Sequence, residues 1–311
     1  LSLNKLGIFK DKILKANIVG DYVIIEGNPE SFPKRVYSLR KRMISEHFEQ
    51  GEKFENIVEE FAYTWFNRII AIRFMEIHDY FPHGFRVLTN KDGSYEPEIL
   101  NNLPYVLEEL KLDENVIHSL RDQNKTEELY RYVLFKQCEA LSKVIPDIFD
   151  VREPYLELLL PNDLLSQDSV IRKIETIPEE DFLDDVEVVG WLYQYYVASN
   201  REEFRKAKVI TKDLIPTLSQ IFTPDWIVRY MADNSVGRLW LESYPDSSLK
   251  GSLKYYVDDA QQDEETQKKI DEIKYKNVNP EDIKIIEPCC GSGHILVYVF
   301  NLLMEMYLEK G

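Results

Sequence analysis

Glu287-Pro288-Cys289-Cys290-Gly291-Ser292-Gly293 sets a carboxylate, a proline and two glycines within seven residues. Glycines at this spacing let the backbone turn sharply and approach a ligand with no Cβ in the way. Ile295 to Leu308, directly after the turn, is an apolar run with helical spacing. A helix beginning there points its free N–H groups and the positive end of its dipole at the loop, which suits an anionic group. Ile283, Ile285 and Ile286, just before the turn, predict a short buried strand that Glu287 ends and Pro288 stops. The chemistry is that of a ligand-holding loop between strand and helix. It is not a phosphate P-loop, because no Gly-Lys-Ser/Thr follows the glycines. It is not a full dinucleotide fingerprint either, since Leu296 stands where the third glycine belongs.

A second segment with chemical promise is Gln220-Ile-Phe-Thr-Pro-Asp-Trp-Ile-Val228. Thr223 is a candidate N-cap, Pro224 fits the first helical position, and Ile227, Val228 and Met231 supply an apolar face. A third is basic. Lys34, Arg35, Arg40, Lys41 and Arg42 put five positive charges into nine residues, either a solvated helix face or a phosphate-contacting patch. No Cys/His set has the spacing of a zinc site, so no metal is expected.

The elements that must position these residues follow from pattern. Phe54, Val58, Phe61, Trp65, Ile69, Ile72 and Met75 recur at three- and four-residue spacing and predict a helix from Phe54 to Tyr80. Arg68 and Arg73 lie inside that pattern, and Glu76 is positioned to pair with Arg73. Asp21 to Gly27 reads as a short strand. Residues 98–150 read as acidic helices broken at Pro104 and Pro146, and Leu164 to Ile174 as a helix after a turn at residues 161–163. Seven acids between Glu175 and Glu187 read as a solvated face, and the aromatic cluster Trp191 to Val197 as core. Residues 246–282 read as an exposed connection holding a short helix. Residues 1–210 are therefore expected to form a mostly helical domain, and 211–311 to open an α/β domain.

Composition bounds the function. A net charge of −17 over 311 residues opposes coating of DNA phosphate by bulk electrostatics. Three cysteines make no disulfide framework and point to a reducing cytoplasm. The longest apolar stretch is interrupted by Asn301 and Glu305 and falls short of the roughly 20 residues a membrane span needs.

The acid-Pro-x-Cys-Gly-Ser-Gly turn resembles motif I of S-adenosylmethionine-dependent methyltransferases, in the form used by adenine-specific DNA methyltransferases. Cys289 stands in the usual alanine position. The Gln-x-Phe-Thr-Pro segment resembles the one that precedes motif I in these enzymes. Ala62 to Glu76, Leu160 to Leu165 and Trp191 to Tyr196 resemble the N-terminal part of the PglX family, large methyltransferases of bacteriophage-exclusion systems. The resemblance implies a truncated Rossmann-like methyltransferase domain behind the helical one. It implies S-adenosylmethionine as cofactor, held by Phe222, Thr223, Pro224 and residues 287–293. Thr223 would meet the cofactor carboxylate and Glu287 its amino end. It also implies double-stranded DNA as substrate, methylated at adenine N6 to mark host DNA, and other phage-defence proteins as partners.

The family's catalytic Asn/Asp-Pro-Pro-aromatic string is absent: Asn28-Pro29-Glu30 and Asn279-Pro280-Glu281 lack the second proline and the ring. The chain is therefore expected to be a fragment, inactive alone, with DNA contacts mainly in parts beyond it. Two rival readings are a methyltransferase–nuclease fusion and a docking module. The first would use Glu109-Leu-Lys111 or Glu272-Ile-Lys274 on a strand. The second would have no enzymatic role.

Overall fold

Residue Trp65 shows how the first unit is built. It lies on a helix running Phe54–Ile77, whose inward side carries Ile57, Phe61, Trp65, Ile69 and Ile72. The indole N–H donates to the Leu156 carbonyl at 3.1 Å, tying the helix to a 3-10 turn, Pro154–Leu159. The expected helix is present and ends at Ile77, three residues early, with Asp79 in the left-handed region. Val58, expected on the apolar face, is exposed, and Ile57 is buried in its stead.

The structure, a computed structural model, describes residues 2–150, 154–161, 163–183, 190–192, 194, 222–290 and 293–311. Two units emerge, residues 1–184 and 185–311. The boundary expected at 210/211, the acids 184–187 and most of the 191–197 cluster lie outside the described residues. No described helix is long and apolar enough to cross a membrane.

The first unit is mostly helical, with one small antiparallel sheet. Strands β1 (Ala16–Val19), β2 (Tyr22–Ile25) and β3 (Ser31–Pro33) are adjacent in that order, with Ala16 opposite Ile25 and Tyr22 opposite Pro33. Val23 and Ile25 point inward while Tyr22 and Ile24 face solvent, the period-two alternation of a half-buried strand. Helices Glu98–Asn101, Leu103–Val106, Glu114–Asp122 and Thr126–Leu141 fill the stretch expected to be helical. The helix expected over Leu164–Ile174 is shorter, Val170–Glu175. Glu127 accepts the N–H groups of Leu164 and Leu165, which holds them in a turn, and the Ser169 side chain caps the helix through the Arg172 N–H.

The buried arginines find partners in two ways. Arg68 donates to the carbonyls of Ile148 and Asp150. Arg73 pairs with Glu76 at 2.8 Å, as its spacing predicted. Glu76 also accepts the Thr89 hydroxyl and the N–H groups of Val87 and Leu88, so this buried carboxylate is saturated with donors. Glu179, one of the seven acids expected on a solvated face, instead bridges Arg73 and Arg86.

In the second unit, Ala232, Val236, Trp240, Leu241, Leu249, Leu253, Val299, Leu302 and Met306 form the core. It is drawn from helices Asp225–Ala232, Arg238–Ser243 and His294–Lys310 and from the connection between them. Glu309 accepts from the Trp240 indole, the hydroxyls of Ser247 and Ser248, and the Ser248 N–H, which fastens the end of the last helix to that connection. The short helix expected in residues 246–282 is Glu264–Ile273, with no buried residue.

No strand forms at 283–286. Ile283 is extended in backbone (φ −71°, ψ 117°), but the stretch pairs with nothing and Ile286 is 91% exposed. An extended segment becomes a strand only when a neighbour supplies its ladder, and among the described residues none does. Ile283 and Ile285 pack instead as half-buried side chains against the core of the unit. The Rossmann-like sheet expected here is thus not found among the described residues.

Candidate functional site

The loop that carries the expected chemistry is formed by local hydrogen bonds. A Glu287 carboxylate oxygen accepts the Cys289 N–H at 2.7 Å, so the acid folds back over its own turn. The Gly293 N–H donates to the Cys290 carbonyl at 2.8 Å. Gly293 has φ +83°, a conformation in which a side chain is strained, and nothing lies within 4 Å of where its Cβ would be. Pro288, Cys289 and Cys290 are exposed. Gly291 and Ser292 lie outside the described residues.

Gly293 is the N-cap of the expected helix, now seen as His294–Lys310, and has no side chain to occupy the first-turn N–H groups. Val299, Leu302 and Met306 turn into the core, while Val297, Phe300, Met304, Tyr307 and Leu308 stay exposed. The imidazole Nδ1 of His294 is buried with no hydrogen-bond partner.

Phe222 joins the second expected segment to this helix. Its ring stacks on His294, with centroids 4.7 Å apart and planes at 22°. On another side it meets Trp191 at 5.7 Å. A Cβ on Gly190 would run into the same ring, which explains the glycine there. The Phe222 N–H donates to the Gln194 side-chain oxygen at 2.7 Å. The Phe-Thr-Pro segment and the helix after the glycine turn are therefore adjacent in space.

The helix start differs in detail from expectation. Pro224, not Thr223, is the N-cap (φ −55°, ψ 143°), and among the described residues no backbone N–H donates to the Thr223 side chain. A residue before proline is driven to extended backbone, which delays the helix. Asp225 then holds the first turn and pairs with Arg229. Val228 is buried, but Met231, expected on the apolar face, is 43% exposed.

Sequence reasoning missed the polar link between the two helices. Asp233, fully buried, accepts the Tyr298 hydroxyl at 2.8 Å and the Tyr255 N–H at 3.0 Å. Arg229 lies over the Tyr298 ring at 5.2 Å. Burial and the Asp233 carboxylate raise the Tyr298 phenol well above its ordinary value, so it remains a donor at any physiological pH. Nothing in the sequence marks these partners, because they meet only across two helices.

The basic run lies on a helix, Arg35–Met43. Arg40 is buried and donates to the carbonyls of Leu6 and Leu14, each at 2.6 Å. Arg35 pairs with Glu157, and Arg42 with Glu46. Lys34 and Lys41 are exposed. The five charges thus do not share one open surface. Neither Glu-x-Lys string is on a strand: residues 109–111 form a turn, and Glu272 and Ile273 end a helix. The geometry a nuclease would need is not found at either.

What the second unit assembles is a glycine turn opening a long helix, braced by an aromatic segment. No protein-family model matches the chain. It is 41% identical over 317 residues to the protein named adenine-specific methyltransferase BrxX of Escherichia coli O9:H4 (strain HS), covering 99% of this chain and 26% of the relative. It is 34% identical over 341 residues to adenine-specific methyltransferase PglX of Lacticaseibacillus casei (strain Zhang), covering 100% of this chain and 28% of the relative. The chain is thus homologous, over its whole length, to part of the BrxX and PglX adenine-specific methyltransferases, as the resemblance implied. It spans about a quarter of the length of these curated relatives.

Proposed function

We propose that this chain forms part of a DNA methyltransferase that transfers a methyl group from S-adenosylmethionine to adenine N6. In this reading it marks host DNA in a phage-exclusion system. The share carried by residues 185–311 is the methionine end of the cofactor site. The observation that supports this most is the stacking of Phe222 on His294, which puts the Phe-Thr-Pro segment beside the glycine turn.

The residues present fit such a group. The Glu287 carboxylate is half-buried at the turn and suits a cationic amino end. Gly293 leaves open space where a side chain would stand, and the His294 Nδ1 is a buried polar atom still lacking a partner. The open N–H groups of the helix start favour a carboxylate, with Thr223 alongside. When bound, the cofactor supplies an activated methyl group. This chain's residues hold and orient one end of it. The apolar flank of the His294–Lys310 helix is the surface on which the sheet of a Rossmann-like domain would pack. The chain alone has no Asn-Pro-Pro-aromatic string to hold a flipped adenine, and by itself it transfers no methyl group. Duplex DNA is the substrate of the whole enzyme, and other defence proteins are its partners. Lys34 and Lys41 are the members of the basic run placed to meet phosphate.

Calorimetric titration of S-adenosylmethionine into the full-length protein tests the reading. Glu287→Ala should weaken binding at least about tenfold, the loss of roughly one charge-assisted contact, and Gly293→Val should do likewise by straining the turn at φ +83° and filling the space beside it. Unchanged affinity in both variants would overturn the assignment of this loop.

A further inference from the structure

A second constellation lies in the first unit. The helix Arg35–Met43 runs into a π-helical turn, Ile44–Phe48, that carries His47. Single π-turns inside helices are frequent at functional positions. The chain then reverses through Gly51 (φ +81°) and delivers Glu52 just ahead of the Phe54–Ile77 helix, whose second turn carries Glu60. A ring nitrogen of His47 and a carboxylate oxygen from each of Glu52 and Glu60 all lie within 4.8 Å of one another. The imidazole is buried, and Phe61 meets it edge-on at 5.2 Å. Both carboxylates reach solvent.

Both ring nitrogens of His47 have a neighbour. His47 Nε2 is 2.8 Å from the hydroxyl of fully buried Tyr155, and Nδ1 is 3.0 Å from a Glu52 oxygen. In the tautomer that carries its proton on Nε2, the ring donates to the Tyr155 oxygen and turns the Nδ1 lone pair towards Glu52, where a positive centre would satisfy both. Among the described residues, Glu52 has no Lys or Arg partner, and the Glu60 carboxylate has neither a hydrogen-bond nor an ion-pair partner.

We propose that His47, Glu52 and Glu60 bind a first-row divalent cation, with zinc the best match. One imidazole and two carboxylates form a hard-to-borderline donor set of the type that zinc accepts in three-ligand sites, water filling the fourth position. The bond from Tyr155 to the remote ring nitrogen is the outer-shell support that orients a metal-binding histidine. The ion would clamp the π-turn to the long helix. Sequence spacing did not mark the site, because its orienting partner, Tyr155, comes from far along the chain.

The test is zinc titration of the whole chain carrying Cys289→Ser and Cys290→Ser, so that the exposed thiols do not compete. One equivalent should bind and raise the melting temperature. Glu60→Gln changes a surface group with no other partner and should leave the zinc-free melting temperature unchanged. It should weaken zinc binding at least about tenfold, and Glu52→Gln should do likewise. Absence of saturable binding, or binding that survives both substitutions, overturns the proposal. So does a His47 ring whose NMR signals respond to pH but not to zinc, since the positive centre is then a proton.

Discussion

The three cysteines differ in their surroundings, and that difference is measurable. Cys138 is fully buried on the Thr126–Leu141 helix, and burial pushes its thiol up to about 12. Cys289 and Cys290 are exposed on the glycine turn. Because the thiolate is the reactive form, a thiol reagent at neutral pH should count two fast sulfhydryls in the folded chain and a third only after denaturation. If the pair on the turn is blocked by bound S-adenosylmethionine in the full-length protein, the fast count should fall with added cofactor. At the same scale, Arg73 and Glu76 were legible as a pair because three residues on a helix bring side chains together. The bridge from Glu179 to Arg73 and Arg86 was not, because tertiary folding alone brings it there. Arg86 beside it, and Arg73, hold the Glu179 carboxyl below its ordinary value of 4.5. A carboxyl depressed in the folded state adds stability above its unfolded value, and that contribution fades as pH falls through the folded one. Glu179→Gln should therefore lower the melting temperature at pH 7. The gap from the parent protein should close in acid below the ordinary carboxyl value. A gap that stays constant with pH would mean the bridge contributes nothing through charge.

The elements read best from the sequence were the helices with long apolar periodicity. Phe54–Ile77 and His294–Lys310 were both legible because a helix closes its own hydrogen bonds. The segment 283–286 was not a strand despite its β-branched residues, since a strand's bonds belong to a neighbour. The Val170–Glu175 helix came out short because a side chain from another helix, Glu127, claims the N–H groups ahead of it. Helix pairing in the second unit rests on Trp240 and on the Tyr298–Asp233 bond, and each has a distinct expected cost. Trp240 is 2% exposed, so Trp240→Ala should destabilise by about 3–5 kcal/mol through the cavity it leaves. Tyr298→Phe keeps the ring but strips a donor from a buried carboxylate, costing about 1–3 kcal/mol. Urea unfolding measures both, and an unchanged slope with a shifted midpoint would assign the loss to stability itself. A Tyr298→Phe protein as stable as the parent would show that water replaces the phenol at Asp233.

At the scale of the molecule, the glycine turn and the long helix behind it were legible from motif and apolar periodicity. What covers the last helix was not. In this chain Phe300 is 61% exposed, flanked by Val297, Met304 and Leu308, which are also exposed. A helix with apolar residues on both flanks is suited to burial on two sides, and among the described residues the core of residues 185–311 meets one of them. The relatives are about four times as long, and the proposed Rossmann-like sheet would fill the other side. Phe300→Lys separates the alternatives. In residues 1–311 the substitution changes a surface position and should move stability by no more than about 0.5 kcal/mol. In the full-length protein it would force an ammonium group against a sheet. The melting temperature should then drop by several degrees, with S-adenosylmethionine binding lost along with the packing that shapes the loop. Equal tolerance in the two proteins would mean that this flank faces solvent in both, and the sheet would have to lie elsewhere.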